Sequence, residues 1–249
     1  MSDGLSGIDV VVLAGGLGTR LAGVLDGAPK ILAPVRGQPY IAFLLSWLRR
    51  FGARRVIFCL GHLADQVEVW LANHPQDRMR IETVREPEPA GTAGALRYAA
   101  PKLQAAQVMV LNGDSFIDGD LVAFLDDFHA AGASAAVMCV EVPDTSRYGR
   151  VELDENGWIT RFAEKDPAAS GAGYINAGVY LFSRAFLAGS AVLAAASLER
   201  EVFAAAAPGT IRGYATLGTF HDIGTPESLA AAAGILSPFL PTAPGRTMP

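Results

Sequence analysis

The hydrophobic positions of this chain alternate between short continuous apolar runs and longer stretches with amphipathic spacing. Residues 8–14, 55–60, 108–111 and 135–142 are compact runs rich in Val, Leu and Ile, the pattern of strands covered on both faces. Residues 80–84 predict one more short strand of this kind. Between them, residues 39–51 (stopped by Gly52), 63–73 (Val67, Trp70 and Leu71 inward), 92–103 and 119–131 predict helices. Strands alternating with helices at this spacing predict crossover connections and a mainly parallel, buried sheet.

Past residue 142 the pattern changes. Residues 149–153, 158–163 and 174–182 predict short strands, with the turn Asp154-Glu155-Asn156-Gly157 between the first two. Helices are expected over 198–206 and 226–236, and the tail 237–249, rich in proline, is expected to fray. One domain over residues 1–236 therefore accounts for the whole pattern, with halves meeting near residue 142.

Composition narrows the function. The chain has 249 residues, 51% of them hydrophobic, with 20 Lys+Arg against 25 Asp+Glu and a net charge of −5. No basic excess supports a nucleic-acid surface, although a few placed cations suffice for a small anion. No run approaches the roughly 18 apolar residues of a spanning helix, and the first residues carry no leader pattern. A cytoplasmic protein without membrane or nucleic-acid partners is expected. Cys59 and Cys139 sit inside apolar runs and read as buried free thiols.

Candidate chemistry begins at Leu13-Ala14-Gly15-Gly16-Leu17-Gly18-Thr19-Arg20, directly after the first strand. Glycines there admit close backbone approach, and successive amides can cradle phosphate oxygens. A P-loop would need Lys and Ser/Thr where Thr19-Arg20 stand, and a dinucleotide fingerprint would need glycine at Leu21. What remains is a glycine loop with an arginine, followed by Pro29-Lys30, or else a tight turn with surface cations.

Further along, Glu86-Pro87-Glu88-Pro89-Ala90-Gly91-Thr92-Ala93-Gly94 opens a helix whose start favours an anion, and Thr92 is equally placed to cap it. Leu111-Asn112-Gly113-Asp114 ends a buried strand in a carboxylate, where open α/β sheets bind ligands. A second carboxylate, Asp222, stands in Phe220-His221-Asp222-Ile223-Gly224, and two carboxylates, if brought together beside phosphates, suit Mg²⁺, which keeps several waters. Either alone reads as an ordinary turn residue. Arg147-Tyr148-Gly149-Arg150, Glu164-Lys165 and Asn176-Ala177-Gly178 supply acceptors and a cation suited to a phosphorylated polyol, or a solvated hairpin.

Gly-Gly-x-Gly-Thr-Arg-Leu followed by Pro-Lys, Gly-Thr-Ala-Gly after a proline, and the two aspartates, all in order, resemble the sugar-1-phosphate nucleotidyltransferases. The resemblance implies an α/β, Rossmann-like (GT-A-type) fold: a mixed, mainly parallel sheet flanked by helices, with a small β-rich sugar-binding subregion. It assigns residues 1–142 to a nucleoside triphosphate and 143–236 to a sugar 1-phosphate. Arg20, Lys30 and Lys165 become the catalytic cations. Leu13, Ala14, Gly15, Gly16, Gly18, Thr19, Glu86, Gly91, Thr92 and Asn112 become nucleotide-binding residues. Gly113, Tyr148, Gly149, Glu164, Lys165, Asn176 and Gly178 contact the sugar phosphate, and Asp114 and Asp222 hold Mg²⁺.

Arg-Tyr-Gly-Arg-Val, Tyr-Ile-Asn-Ala-Gly-Val-Tyr and Asp-Ile-Gly-Thr-Pro-Glu are most similar to the D-glycero-α-D-manno-heptose 1-phosphate guanylyltransferases. Those enzymes supply GDP-heptose for capsule, lipopolysaccharide and S-layer glycans, so GTP is the expected nucleotide. Asn176-Ala177-Gly178 stands where that group carries Asn-Gly-Gly. A mannose-1-phosphate guanylyltransferase, a hexose-1-phosphate uridylyl- or thymidylyltransferase, a silent nucleotide-sugar sensor and a nicotinamide-dependent oxidoreductase remain alternatives. A homo-oligomer is compatible with all of them. No hexapeptide repeat follows, so a fused acyltransferase domain is not expected.

Overall fold

A computed structural model describes residues 4–21, 23–163 and 171–239. Its strands are β1 (Asp9–Ala14), β2 (Pro34–Val35), β3 (Gln38–Pro39), β4 (Arg55–Leu60), β5 (Arg80–Arg85), β6 (Gln107–Asn112) and β7 (Ser115–Ile117). They continue with β8 (Ala135–Val142), β9 (Arg150–Leu153), β10 (Ile159–Ala163), β11 (Gly173–Ser183), β12 (Arg212–Thr216) and β13 (Phe220–Asp222). The helices are α1 (Tyr40–Arg50), α2 (Ala64–Asn73), α3 (Gly91–Ala99), α4 (Leu121–Ala130), α5 (Arg184–Leu187), α6 (Ser190–Ala194) and α7 (Pro226–Ile235).

The main sheet runs β10-β9-β11-β6-β1-β4-β5, with β8 on β11 and β12 on β8. β6, β1, β4 and β5 are parallel, as the alternation of strand and helix predicts. β11 then adds antiparallel to β6, which joins the two halves of the chain in one mixed sheet. Successive residues of each central strand point to opposite sides and enter different cores. Val10, Val12, Val56 and Phe58 pack with α1, α4 and α7. Val11, Ile57, Cys59 and Val110 pack with α3 and the segment around Leu198. Both faces are thus dry, which is why the strands read as continuous apolar runs.

Several expectations are revised. The helix expected from residue 119 starts at Leu121, because the Asp120 side chain accepts from the amides of Val122 and Ala123 and caps it there. The helix expected to reach residue 103 ends at Ala99, where Pro101 enters a 3₁₀ turn. Residues Leu198–Phe203 form a π-helical turn. β7, β12 and β13 carried no apolar alternation to announce them. Ser237–Phe239, expected to fray, forms a 3₁₀ turn, and Phe239 is buried edge-on against Phe116, with ring centroids 4.7 Å apart.

At the amino ends of the strands lies a buried charge cluster. Arg55 donates to Asp9 Oδ1 (2.6 Å) and to Glu82 Oε1 (2.7 Å), while Asp9 Oδ2 accepts from the amides of Gln104 (2.6 Å) and Ala105 (2.9 Å). The Asp9 side chain is 3% exposed and that of Arg55 11%. Burial pushes the Glu82 carboxyl up, but the Arg55 bonds and charge outweigh it and hold it below its ordinary value. Its contribution to stability is therefore present above the ordinary glutamate range and lost as pH falls through the depressed value.

Replacing Asp9 with Ala leaves Arg55 half-compensated and two amides unpaired. It should cost about 3 kcal/mol in urea denaturation, with activity of the folded fraction unchanged. An unshifted midpoint would show that the cluster contributes nothing net.

Candidate functional site

The parallel strands switch direction of succession between β1 and β6: the chain leaves β1 toward β4 and returns to β6 on the other side. A crevice opens at the carboxyl ends of strands at such a point. The glycine loop leaves β1 there, and Asn112-Gly113-Asp114 leaves β6 beside it, with the Gly113 amide donating to Leu13 O (2.8 Å). The glycine loop does not enter an α-helix. It closes into a 3₁₀ turn, Thr19–Leu21, which carries Arg20.

Two cavities meet in this crevice. The first, about 330 Å³, is lined by Leu13, Ala14, Gly15 and Gly16 from the loop, by Lys30, and by Glu86, Gly91 and Thr92 from the segment after β5. Asn112, Gly113 and Asp114 form its floor on the β6 side. The second, about 450 Å³, is lined by Arg20, Asn112, Asp114, Tyr148, Gly149, Asn176, Gly178 and Asp222. Asn112 and Asp114 belong to both. Gly18 and Thr19 line neither of these cavities, and serve the turn that presents Arg20. Glu164 and Lys165 lie outside the described residues.

The two aspartates are neighbours because β7 and β13 pair antiparallel, placing Asp222 opposite Ser115, while the Ile223 amide donates to Asp114 O (2.9 Å). Lys30 Nζ donates to Asp114 Oδ2 at 2.6 Å. A Cβ on Gly224 would lie 2.7 Å from Asp222 Oδ1, 3.5 Å from Arg20 Nη2 and 3.6 Å from Lys30 Nζ, so both cations and Asp222 surround one point. Burial pushes the Asp222 carboxyl up, but the Gly224 amide, the Tyr148 hydroxyl (2.9 Å), Arg147 and Lys30 together bring it below the ordinary aspartate value. Burial, then Asp222, pushes Tyr148 up to about 12, so it stays a neutral donor to that carboxylate. Tyr40, wholly buried, donates to Ser115 O (2.8 Å) and buttresses the β7 backbone from below.

Beside the first cavity, burial raises the Glu86 carboxyl, and a bond from the Ala90 amide offsets part of that rise. Thr92 does not cap α3. Its hydroxyl accepts from the Leu198 amide (2.8 Å) and donates to Glu199 Oε2 (2.8 Å). Asn112 Oδ1 is buried without a hydrogen-bond partner among the described residues, an acceptor that a bound ligand's donor would satisfy.

The strand β11 reaches this region through an irregularity. Asn176 pairs with Cys139 and Tyr180 with Val137, so β11 spends extra residues against β8 between those positions. Gly178, at φ +74°, makes the bend, and its amide donates to Asn176 Oδ1 (2.8 Å). This bulge brings Asn176 and Gly178 to Asn112.

Sequence reasoning passed over several residues. Glu199 lines the second cavity but sits in what read as an ordinary helix. Arg147, which the sequence motif included without a role of its own, lines it too and approaches Asp222 at 3.9 Å. Gly61, at the end of β4, lies so close to the glycine loop that a Cβ would be 2.6 Å from Gly15 O. A glycine ending a buried strand beside a glycine loop was the available signal for it.

No cluster of three or more His, Cys, Asp or Glu that could hold a metal occurs among the described residues, and no described helix is long and apolar enough to cross a membrane. Two carboxylates beside an anion site still suit Mg²⁺, which takes one or two protein carboxylates and fills its shell with water and phosphate oxygens.

The chain is similar to several known proteins. The nucleotidyl transferase family model matches residues 9–237. A mannose-1-phosphate guanylyltransferase of Mycobacterium tuberculosis is 35% identical over 234 residues, covering 92% of this chain and 64% of that protein. The chain thus spans just under two thirds of the length of that relative. A D-glycero-alpha-D-manno-heptose 1-phosphate guanylyltransferase of Aneurinibacillus thermoaerophilus is 26% identical over 226 residues, covering 90% of this chain and 96% of that one. The crystal structure of HddC from Yersinia pseudotuberculosis superposes with a TM-score of 0.80 at 30% identity, covering 91% of this chain and 98% of that chain. The same protein is also known complexed with GMP-PN.

Gly178→Ala is expected to cost about 1–2 kcal/mol for its left-handed backbone, and its Cβ would meet Asn112 Nδ2 at 2.9 Å. Gly61→Ala would instead push the backbone of the glycine loop. Titration calorimetry with nucleotide should find binding weakened at least about tenfold in Gly61→Ala, roughly one lost hydrogen bond to a charged group. Unaltered nucleotide binding would mean that the loop backbone tolerates the shift.

Proposed function

The chain belongs to the nucleotidyl transferase family, and on that premise we propose that it transfers GMP from GTP to a manno-configured sugar 1-phosphate, releasing pyrophosphate. The observation that carries this reading is the junction of two cavities at Asn112 and Asp114, with Arg20, Lys30 and Asp222 gathered there.

The cavity beneath the glycine loop suits the triphosphate and base, and the cavity beside β11 suits the sugar. Two anions must then be brought together at the shared wall. A phosphate oxygen of the sugar 1-phosphate forms a bond to the α-phosphorus, the α–β bridging bond breaks, and its electron pair leaves with pyrophosphate. The attacking oxygen is already anionic, so no nucleophilic side chain is required. The chain's task is positioning and charge compensation. Arg20 and Lys30 neutralise the triphosphate. Tyr148 and the Gly224 amide hold Asp222 ionised and oriented. Asn176 and Gly178 face the sugar, and Lys165 is proposed to meet its phosphate. Asp114 and Asp222 would hold Mg²⁺, which when bound supplies further neutralisation of the phosphates.

Guanine preference is supported by the guanylyltransferase relatives. Among sugars, D-glycero-α-D-manno-heptose 1-phosphate is favoured by the near-complete coverage of the Aneurinibacillus enzyme. Mannose 1-phosphate is the second reading, favoured by the higher identity to the mycobacterial protein. Both share the manno ring that the second cavity would recognise.

A pyrophosphate-release panel crossing GTP, UTP, dTTP, CTP and ATP with heptose, mannose and glucose 1-phosphates is expected to give its highest rate with GTP and the heptose. EDTA should abolish that signal and Mg²⁺ restore it. Asp114→Asn should lower the rate by about 10²–10³ with unchanged circular dichroism. Silence across the panel would refute the enzyme, and wild-type turnover by Asp114→Asn would refute the metal ligand.

A further inference from the structure

Glu199 joins the two cavities through hydrogen bonds that leave neither of its oxygens idle. Oε2 accepts from Thr92 Oγ1 (2.8 Å) and Ser197 Oγ (3.1 Å), and Oε1 accepts from the Tyr180 hydroxyl (2.8 Å). Thr92 lines the first cavity and Glu199 the second. The buried Tyr180 oxygen in turn accepts from Asn176 Nδ2 (2.8 Å) and Asn112 Nδ2 (3.4 Å). One phenol therefore sets the orientation of both amides that face the proposed ligands.

The carboxylate is itself held in place. Its π-helical turn is capped by Ser197, and the Glu201 carboxylate accepts from the amides of Ala196 (3.1 Å) and Ser197 (3.2 Å). The start of α3 is latched to the same turn: the Ala93 amide donates to Ala196 O (3.0 Å), and the Leu198 amide donates to Thr92 Oγ1. π-Turns are rare and are frequently found at functional sites. Charge-assisted bonds inside a low-dielectric interior are strong and make such a chain rigid as a unit.

We propose that Glu199 is a positioning residue that couples the two sites. A nucleotide that settles against Gly91–Ala93 and draws Thr92 toward it moves Glu199 and Tyr180 with it as one unit, and so re-aims the amides of Asn112 and Asn176 that face the sugar phosphate. Coupling of this kind is reciprocal and commonly five- to 150-fold. The inference rests on the reading of the two cavities as nucleotide and sugar-phosphate sites.

The test is titration calorimetry on the full chain with Mg²⁺. Mannose 1-phosphate is titrated with and without saturating α,β-methylene-GTP, which cannot release pyrophosphate. Wild type should bind the sugar phosphate about tenfold tighter in the presence of the nucleotide. Glu199→Gln, Thr92→Val and Tyr180→Phe should bring that ratio to about one, while Thr92→Ser, which keeps the hydroxyl, should restore it. A Glu199 that merely supported the fold would weaken both ligands and leave the ratio intact, so a preserved ratio in Glu199→Gln overturns the proposal. Should that variant fail to fold, a preserved ratio in both Thr92→Val and Tyr180→Phe does the same. A wild-type ratio of one, with both probes bound, overturns the coupling alone. Binding of neither probe overturns the functional reading as well.

Discussion

Two carboxylates can occupy one small volume only if their backbones are held side by side and a cation offsets their repulsion. In this chain the ladder between β7 and β13 does the holding and Lys30 supplies the charge. The ladder is only three residues long on each strand, yet it joins positions more than a hundred residues apart. It is braced by Tyr40 on one strand and by the packing of Ile223, fully buried, next to the other. The whole site depends on this juncture. Without it, Asp114 would be a solitary strand-end carboxylate and Asp222 a turn residue ahead of α7.

The sheet places the remaining groups around that point. Parallel strands with helices on both faces leave their carboxyl ends free at the switch between β1 and β6, so the glycine loop and the Asn112-Gly113-Asp114 turn face each other. β11 crosses to the same point from the other half of the chain, and its bulge at Asn176–Gly178 turns two residues that line the second cavity toward Asn112. The opposite ends of the strands are tied by the Asp9–Arg55–Glu82 cluster, which holds β1, β4 and β5 in register away from the site. Stability and chemistry are thus placed at opposite ends of the same strands.

The glycine loop and its cations were legible because their residues are contiguous and their types are restrictive: few segments combine three glycines, an arginine and a following Pro-Lys. The pairing of Asp114 with Asp222 was legible as a resemblance, and it is the antiparallel pairing of β7 with β13 that brings the two together. Glu199 was invisible. It lies 107 residues from Thr92, in an alanine-rich stretch whose apolar spacing fits an ordinary helix, and a π-turn has no periodicity signature. Thr92 shows the complementary difficulty. A hydroxyl at a helix start reads as a cap, yet its partner here comes from another element.

What the sequence determined by itself was the alternation of buried strands and covering helices, and the local chemistry of each loop. Periodicity of apolar residues reports burial on one face or two, and short polar motifs report conformations that only certain residues adopt. What the tertiary structure alone decided was adjacency: which strand ends meet, how β11 bends, and which carboxylate takes which hydroxyl. Those outcomes come from hydrogen bonds between residues distant along the chain, and such bonds leave no trace in local composition because any nearby acceptor could have satisfied the same donor.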